Sequence, residues 1–226
     1  MRRARVPAMM GFLMICVAAC GTSPTHSEGS SSSTTPKSST ASSATTRTRT
    51  TPGQPLFGYP PSNPAAFSGA PAGPECSPGA LTLAWGGYVS EKTQQRSLGV
   101  DLKNVSGETC HIMGYPGISF LDANGVDLPL TYRRGGDQMV TSSPPASVNL
   151  PAGSTAYVLM NQSACELGEQ GSATTLRLIP PNATSSLELG FAQIHSSVIT
   201  YCGSPDPGST VNISPVEPTA QDTFAQ

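Results

Sequence analysis

Six cysteines and three histidines are the side chains in this 226-residue chain whose reactivity matters first. Four of the cysteines, Cys76, Cys110, Cys165 and Cys202, lie in the later, more apolar part of the sequence. An even number of cysteines in an exported chain reads as two disulfides, with three ways to pair them. Zinc ligation would favour a Cys-x-x-Cys spacing or clustered histidines. No such pair occurs, and His111 and His195 stand alone. Acid–base catalysis needs a positioned histidine or paired carboxylates. His26 sits in a Ser/Thr run, His111 adjoins Cys110, and His195 follows Ile194 near Phe191, so each reads as a surface or strand-edge residue. There is no Gly-x-Ser-x-Gly elbow, no Ser-x-x-Lys with its companion motifs, no His-Glu-x-x-His and no phosphate loop. Asp122-Ala123-Asn124-Gly125-Val126-Asp127 starts like a calcium loop but lacks the later acidic ligand, and reads instead as a hairpin turn. The expectation is a non-enzymatic chain with no catalytic residue, no metal and no cofactor.

Cys20 stands apart from the other cysteines. Arg2, Arg3 and Arg5 precede an apolar stretch from Val6 to Val17, and Val17-Ala18-Ala19-Cys20 closes it. A basic start, a short apolar run and a small-residue exit make a secretory signal. The run is shorter than the roughly 20 residues a membrane-spanning helix needs. The exit resembles the lipobox of bacterial lipoproteins: one aliphatic residue, two small ones, then cysteine. That resemblance implies cleavage before Cys20 and a thioether-linked diacylglyceryl group on its sulfur. Cys16 is a poor competitor, because Ile15 would fill a peptidase pocket shaped for a small residue. Each buried methylene contributes about 0.8 kcal/mol, and two acyl chains suffice for stable anchoring. Residues 1–19 are therefore expected to be a signal peptide. Cys20 is expected to hold the chain to the outer face of the cell membrane.

Residues 22–51 contain twenty Ser or Thr in thirty positions, and residues 52–75 carry seven prolines. Neither composition can build a core, and both favour disordered or extended chain. Residues 20–75 thus read as a lipidated terminus followed by a disordered tether, with a reach of about 40 Å if flexible. Without residues 1–19 the chain has nine Lys+Arg against fourteen Asp+Glu. That balance gives no electrostatic footprint for nucleic acid.

From Leu81 onward the apolar residues recur with period two. Leu81, Leu83 and Trp85 share one face, and Leu98, Val100 and Leu102 alternate with Gly99, Asp101 and Lys103. Such alternation marks half-buried strands. Further strands are expected at 117–122, 126–132, 146–150, 154–161, 174–179, 186–191 and 209–213. Gly114-Tyr115-Pro116-Gly117, Asn124-Gly125 and Leu150-Pro151-Ala152-Gly153 supply turns between them. The pattern predicts an all-β domain over residues 76–214, an immunoglobulin-like antiparallel β-sandwich, with a small β-barrel as the alternative. The tail, 215–226, is expected to be disordered. Cys76 precedes the first strand and Cys110 follows the second, which should run back beside it. Cys165 follows the 154–161 strand and Cys202 ends a late apolar stretch. Strand order thus favours Cys76–Cys110 and Cys165–Cys202, each worth roughly 3–4 kcal/mol in the chain-entropy account.

Trp85, Tyr88, Tyr132, Arg133 and Arg134 could bring rings and guanidiniums together near strand ends. Aromatics with arginine are typical interface anchors. Tyr88, Tyr132, Arg133 and Arg134 are the candidate binding surface, while Trp85 also fits a core position.

Cys76, the Asn104-Val105-Ser106-Gly107-Glu108-Thr109-Cys110 turn, Gly114-Tyr115-Pro116-Gly117, Leu150-Pro151-Ala152-Gly153 and the Cys165/Cys202 pair resemble a domain of unknown function found in actinobacterial, especially mycobacterial, exported lipoproteins. The resemblance covers about residues 76–214. It implies a four-cysteine β domain outside the membrane and carries no catalytic residues with it. The functional expectation is a lipid-anchored module that binds an envelope protein, a glycan or a wall component. The alternatives are a wall-acting enzyme or accessory subunit, or a purely structural envelope protein.

Overall fold

In a computed structural model of the chain, residues 62–89, 94–192 and 199–226 are described, with the side chains of residues 88 and 89 excepted. The expected signal peptide, Cys20, the tether up to residue 61, His26 and His195 lie outside the described residues. The strands are β1 (Phe67–Ser68), β2 (Leu81–Val89), β3 (Gln95–Asn104), β4 (Cys110–Met113), β5 (Gly117–Leu121), β6 (Thr131–Arg134) and β7 (Ser147–Leu150). They continue with β8 (Thr155–Ser163), β9 (Gly171–Ser172), β10 (Thr175–Ile179), β11 (Leu187–Gly190), β12 (Thr200–Tyr201) and β13 (Thr210–Ile213). Among the described residues there is no α-helix, and so none long and apolar enough to cross a membrane.

The domain is all-β. Its sheets have the orders β2-β3-β8-β13-β6, β11-β10-β5, β1-β7-β4 and β12-β9, and none closes into a barrel. One pairing departs from the antiparallel expectation: β6 runs parallel to β13. The long excursion between them brings the chain back from the same end, which a tight turn cannot do.

Period two builds the core. Leu98, Val100 and Leu102 of β3 lie opposite Met160, Val158 and Ala156 of β8. All six are buried, in one cluster with Phe120 of β5, Leu176 and Leu178 of β10, and Ile112, Val148 and Leu150 of the third sheet. Each fully buried side chain of this size contributes about 1.5–3 kcal/mol.

β8 breaks the alternation, because Thr155–Gln162 is buried at every position. A cover lies over its second face. Leu159 packs with Val140, Met139 and Phe224 in a separate small cluster. Asp137 shapes the covering loop, accepting from the Met139 and Val140 amides at 2.7 and 2.8 Å and from Asn161 Nδ2 at 2.7 Å.

The tail over 215–226, expected to be disordered, is part of this cover. Tyr157 and Glu217 exchange backbone hydrogen bonds of 2.8 and 2.9 Å, and Phe224 bridges to Val140. Val216 is fully buried. Its neighbours in sequence are polar and proline-rich, so the anchoring by Val216 and Phe224 leaves no periodic signal.

Two other boundaries shift. The Pro-rich stretch before Cys76 is not all tether: Ala66 is buried, β1 pairs with β7, and Asn149 bonds both Ala72 N (2.7 Å) and Ala70 O (3.0 Å). The strand expected at 126–132 is confined to Thr131–Arg134. Pro129 lacks the donor a ladder needs, so the Asn124-Gly125 turn forms but joins strands by the single bridge Leu121–Asp127.

Candidate functional site

Two open grooves flank β4, and each is built from one of the turn motifs. The first, about 510 Å³, is lined by Glu75, Ser106, Glu108, Thr109 and Cys110 among others. Asn104, fully buried at the end of β3, organises its loop. Its Nδ2 donates to the carbonyls of Glu108 and Leu150, both at 2.8 Å. Its Oδ1 accepts from the Ser106 amide at 2.9 Å and the Ser106 hydroxyl at 2.7 Å. The Cys76–Cys110 disulfide closes the other side, reinforced by Cys76 N to His111 O and His111 N to Pro74 O. His111 Nδ1 lies 3.0 Å from the Gly73 carbonyl. The position fits a clamp on the chain better than a base. Ser106, the Glu108 carbonyl and Cys110 of this groove are thus engaged in holding the loop together.

The second groove, about 370 Å³, is lined by Met113, Tyr115, Arg134, Ile179, Pro181 and Asn182 among others. Gly114 opens it with φ near 120°, a conformation that favours glycine. The Gly114 carbonyl accepts from Val216 N at 3.0 Å, tying the turn to the C-terminal segment. The Arg134 guanidinium lies 5.7 Å from the Tyr115 ring centroid, within cation–π range. Asn182 Nδ2 donates to Glu75 Oε1 at 3.0 Å, so a residue of one groove holds a residue of the other.

The aromatic–arginine cluster read from the sequence is not one site. Trp85 and Tyr88 belong to β2, and Tyr132, Arg133 and Arg134 to β6, at opposite edges of the five-stranded sheet. Four strand spacings of about 4.8 Å separate those edges by about 19 Å. Trp85 is half-buried, edge-on to Phe191 with centroids 6.4 Å apart. The Tyr88 side chain lies outside the described residues. Tyr132 turns inward: its ring stacks on Phe120, its oxygen accepts from the Phe120 amide at 3.2 Å, and burial pushes its hydroxyl up to about 12. Arg133 and Arg134 remain exposed.

Sequence reasoning missed a row of polar groups on the outer face of the large sheet. Asp101 of β3 lies opposite Tyr157 of β8, which bridges to Glu217. Burial raises the Asp101 carboxyl to about 6, and its Oδ1 has no hydrogen-bond partner among the described residues. Burial, then the nearby Asp222, raises Glu217 to about 7. Tyr157 is also raised, by burial and then by Asp101. Segments distant in sequence build this environment, Glu217 from the C-terminal cover and Ser62 from the N-terminal stretch both meeting Tyr157, so alternation alone placed Asp101 in solvent. Neither raised carboxylate lines either of the two grooves described above. No three His, Cys, Asp or Glu side chains among the described residues come together as a metal site.

The second disulfide, Cys165–Cys202, lies beyond the end of β8. Asp206 fixes its surroundings, accepting from the amides of Glu166 (3.0 Å), Leu167 (2.9 Å) and Gly208 (2.8 Å). Those amides, Leu167 first, hold its carboxyl below the usual range.

Both turn motifs and all four disulfide cysteines lie within residues 76–217, and that span matches the model of a domain of unknown function (DUF4232). The chain belongs to this family. No curated protein and no solved structure matches it. The DUF4232 span begins at Cys76 and ends at Glu217, so it takes in the start of the C-terminal cover as well as β2 to β13.

Proposed function

We propose that the chain is an extracytoplasmic lipoprotein, held to the outer face of the cell membrane through lipid on Cys20, whose DUF4232 domain is a non-enzymatic interaction module displayed in the cell envelope. One observation carries this reading: a doubly disulfide-bonded domain follows a signal-like segment ending in Val17-Ala18-Ala19-Cys20. Disulfides persist in oxidising compartments, and the cysteine at the exit supplies the attachment. The lipobox pattern and the long Ser/Thr-rich stretch fit the actinobacterial-type exported lipoproteins that the sequence resembles. The partner belongs to the envelope: a protein, a glycan or a wall component.

Fractionation of producing cells tests the attachment. The wild-type chain is expected in the membrane fraction and the Cys20→Ala chain in the soluble one. An unchanged distribution would refute lipid anchoring. Saturable binding to envelope fractions that persists when His111 is replaced would support the module reading over an enzymatic one.

A further inference from the structure

We propose that the open edge of β6 takes an extended acidic peptide segment as an added strand, its carboxylates pairing with Arg133 and Arg134. The proposal deepens the interaction-module reading and rests on it. β6 pairs with β13 on one side and with no strand on the other among the described residues. Thr131, Arg133 and Arg134 are exposed along it. An unpaired edge offers backbone donors and acceptors to an incoming strand.

Charge decides what kind of strand fits. Residues 62–226 hold six Lys+Arg against thirteen Asp+Glu. Arg96 is committed to Glu169, and Arg177 to Glu188 and Asp127. Arg133 and Arg134 have no ion pair among the described residues, and they are adjacent. Asp137, three residues further on, spends its carboxylate on Met139 N, Val140 N and Asn161 Nδ2. Two adjacent guanidiniums without ion pairs among the described residues repel a second copy of this edge and attract an acidic one.

Geometry adds a preference. Successive side chains of a strand point to opposite faces, so Arg133 and Arg134 can be met by two consecutive acids, one on each face. On the Arg134 side the Tyr115 ring steadies the guanidinium, and Met113, Ile179 and Pro181 line the adjoining groove. The inferred partner is thus an extended segment with paired acids flanked by β-branched residues, which favour the strand conformation.

A dye-labelled synthetic peptide, Thr-Val-Glu-Glu-Val-Thr, is titrated with the full chain in detergent and followed by anisotropy, with hydrogen–deuterium exchange read over residues 131–135. Saturable binding, slowed exchange confined to that segment and weakening with added salt are expected. The R133E/R134E chain should bind at least about tenfold more weakly. R133K/R134K, which keeps the charge, should retain most of the affinity. Equal binding of the Thr-Val-Lys-Lys-Val-Thr peptide overturns the proposal. So does full competition by dextran sulfate, which has charge but no strand to add, or unchanged exchange at 131–135. Envelope binding by the wild type that R133E/R134E does not weaken sinks the edge site and leaves the module reading standing. No saturable envelope binding by the wild type removes both.

Discussion

Replacing Asn104 with Ala would remove two donors and an acceptor from the closure of the 105–109 loop, leaving the Leu150 carbonyl without its Asn104 donor. Four hydrogen bonds converge on this side chain. Each contributes about 0.5–1.5 kcal/mol net, with a further cost where a buried partner is left unsatisfied. A loss of about 2–4 kcal/mol in chemical denaturation is expected. The Asn104→Asp chain should fare no better, since a carboxylate cannot donate to two carbonyls. At the same scale, Asp101 and Glu217 give the domain a pH dependence of definite sign. Their folded-state values, about 6 and about 7, exceed the ordinary 3.8 and 4.5. Between those limits the native state holds protons that the unfolded chain has released, so stability falls as pH rises. The urea midpoint of the wild type should therefore drop from pH 5 to pH 8, and D101N/E217Q should flatten that drop. Asp122 and Asp206 act oppositely. Their carboxyls are held low, chiefly by the Val126 and Leu167 amides respectively, so what they contribute is lost only as the pH falls through those lowered values.

At the scale of elements, β8 is the strand on which most of the fold turns. It is central in the five-stranded sheet and covered on both faces. Deleting residues 215–226 would uncover Leu159 and Val140 and strip the fully buried Val216 from the domain. A destabilisation of at least about 2–3 kcal/mol is expected from the lost apolar burial, read as a lower urea midpoint. A deletion that left the midpoint unchanged would contradict the packed cover. The sequence foretold β3 and β10 well, because Leu98, Val100 and Leu102 of β3 and Leu176 and Leu178 of β10 recur with period two on the core side, although in β3 Ser97 and Gly99 on the other face are buried as well. The expected disulfide pairing, Cys76–Cys110 and Cys165–Cys202, is the one formed, although the second bridge joins cysteines separated by β9 to β12: Cys165 follows β8 and Cys202 precedes β13, which pair in the sheet. The strand expected at 154–161 forms as β8, but its burial on both faces was not foreseen, because nothing local said what would cover it. β4, β9 and β12 escaped notice because two to four residues do not establish a period. The candidate site was legible in part. Arg133 and Arg134 stood out by type, yet which aromatic would be near depended on strand order: Tyr115 meets Arg134, while Tyr132 enters the core and Trp85 sits at the far edge.

For the whole molecule, two covalent bridges hold a Gly- and Pro-rich chain. They close spans of 34 and 37 residues, worth roughly 3–4 kcal/mol each in the chain-entropy account. Reduction should therefore lower the unfolding midpoint substantially, and the four cysteines should resist alkylation until then. Disulfides persist in oxidising compartments, and the proposed function adds attachment through Cys20. The measurement that bears most directly on this account is mass spectrometry of the chain purified from native membranes. The expected result is a polypeptide beginning at Cys20, its sulfur carrying diacylglycerol, with the other four cysteines blocked to alkylation before reduction. An unmodified Cys20 thiol, together with four cysteines that alkylate without reduction, would contradict it.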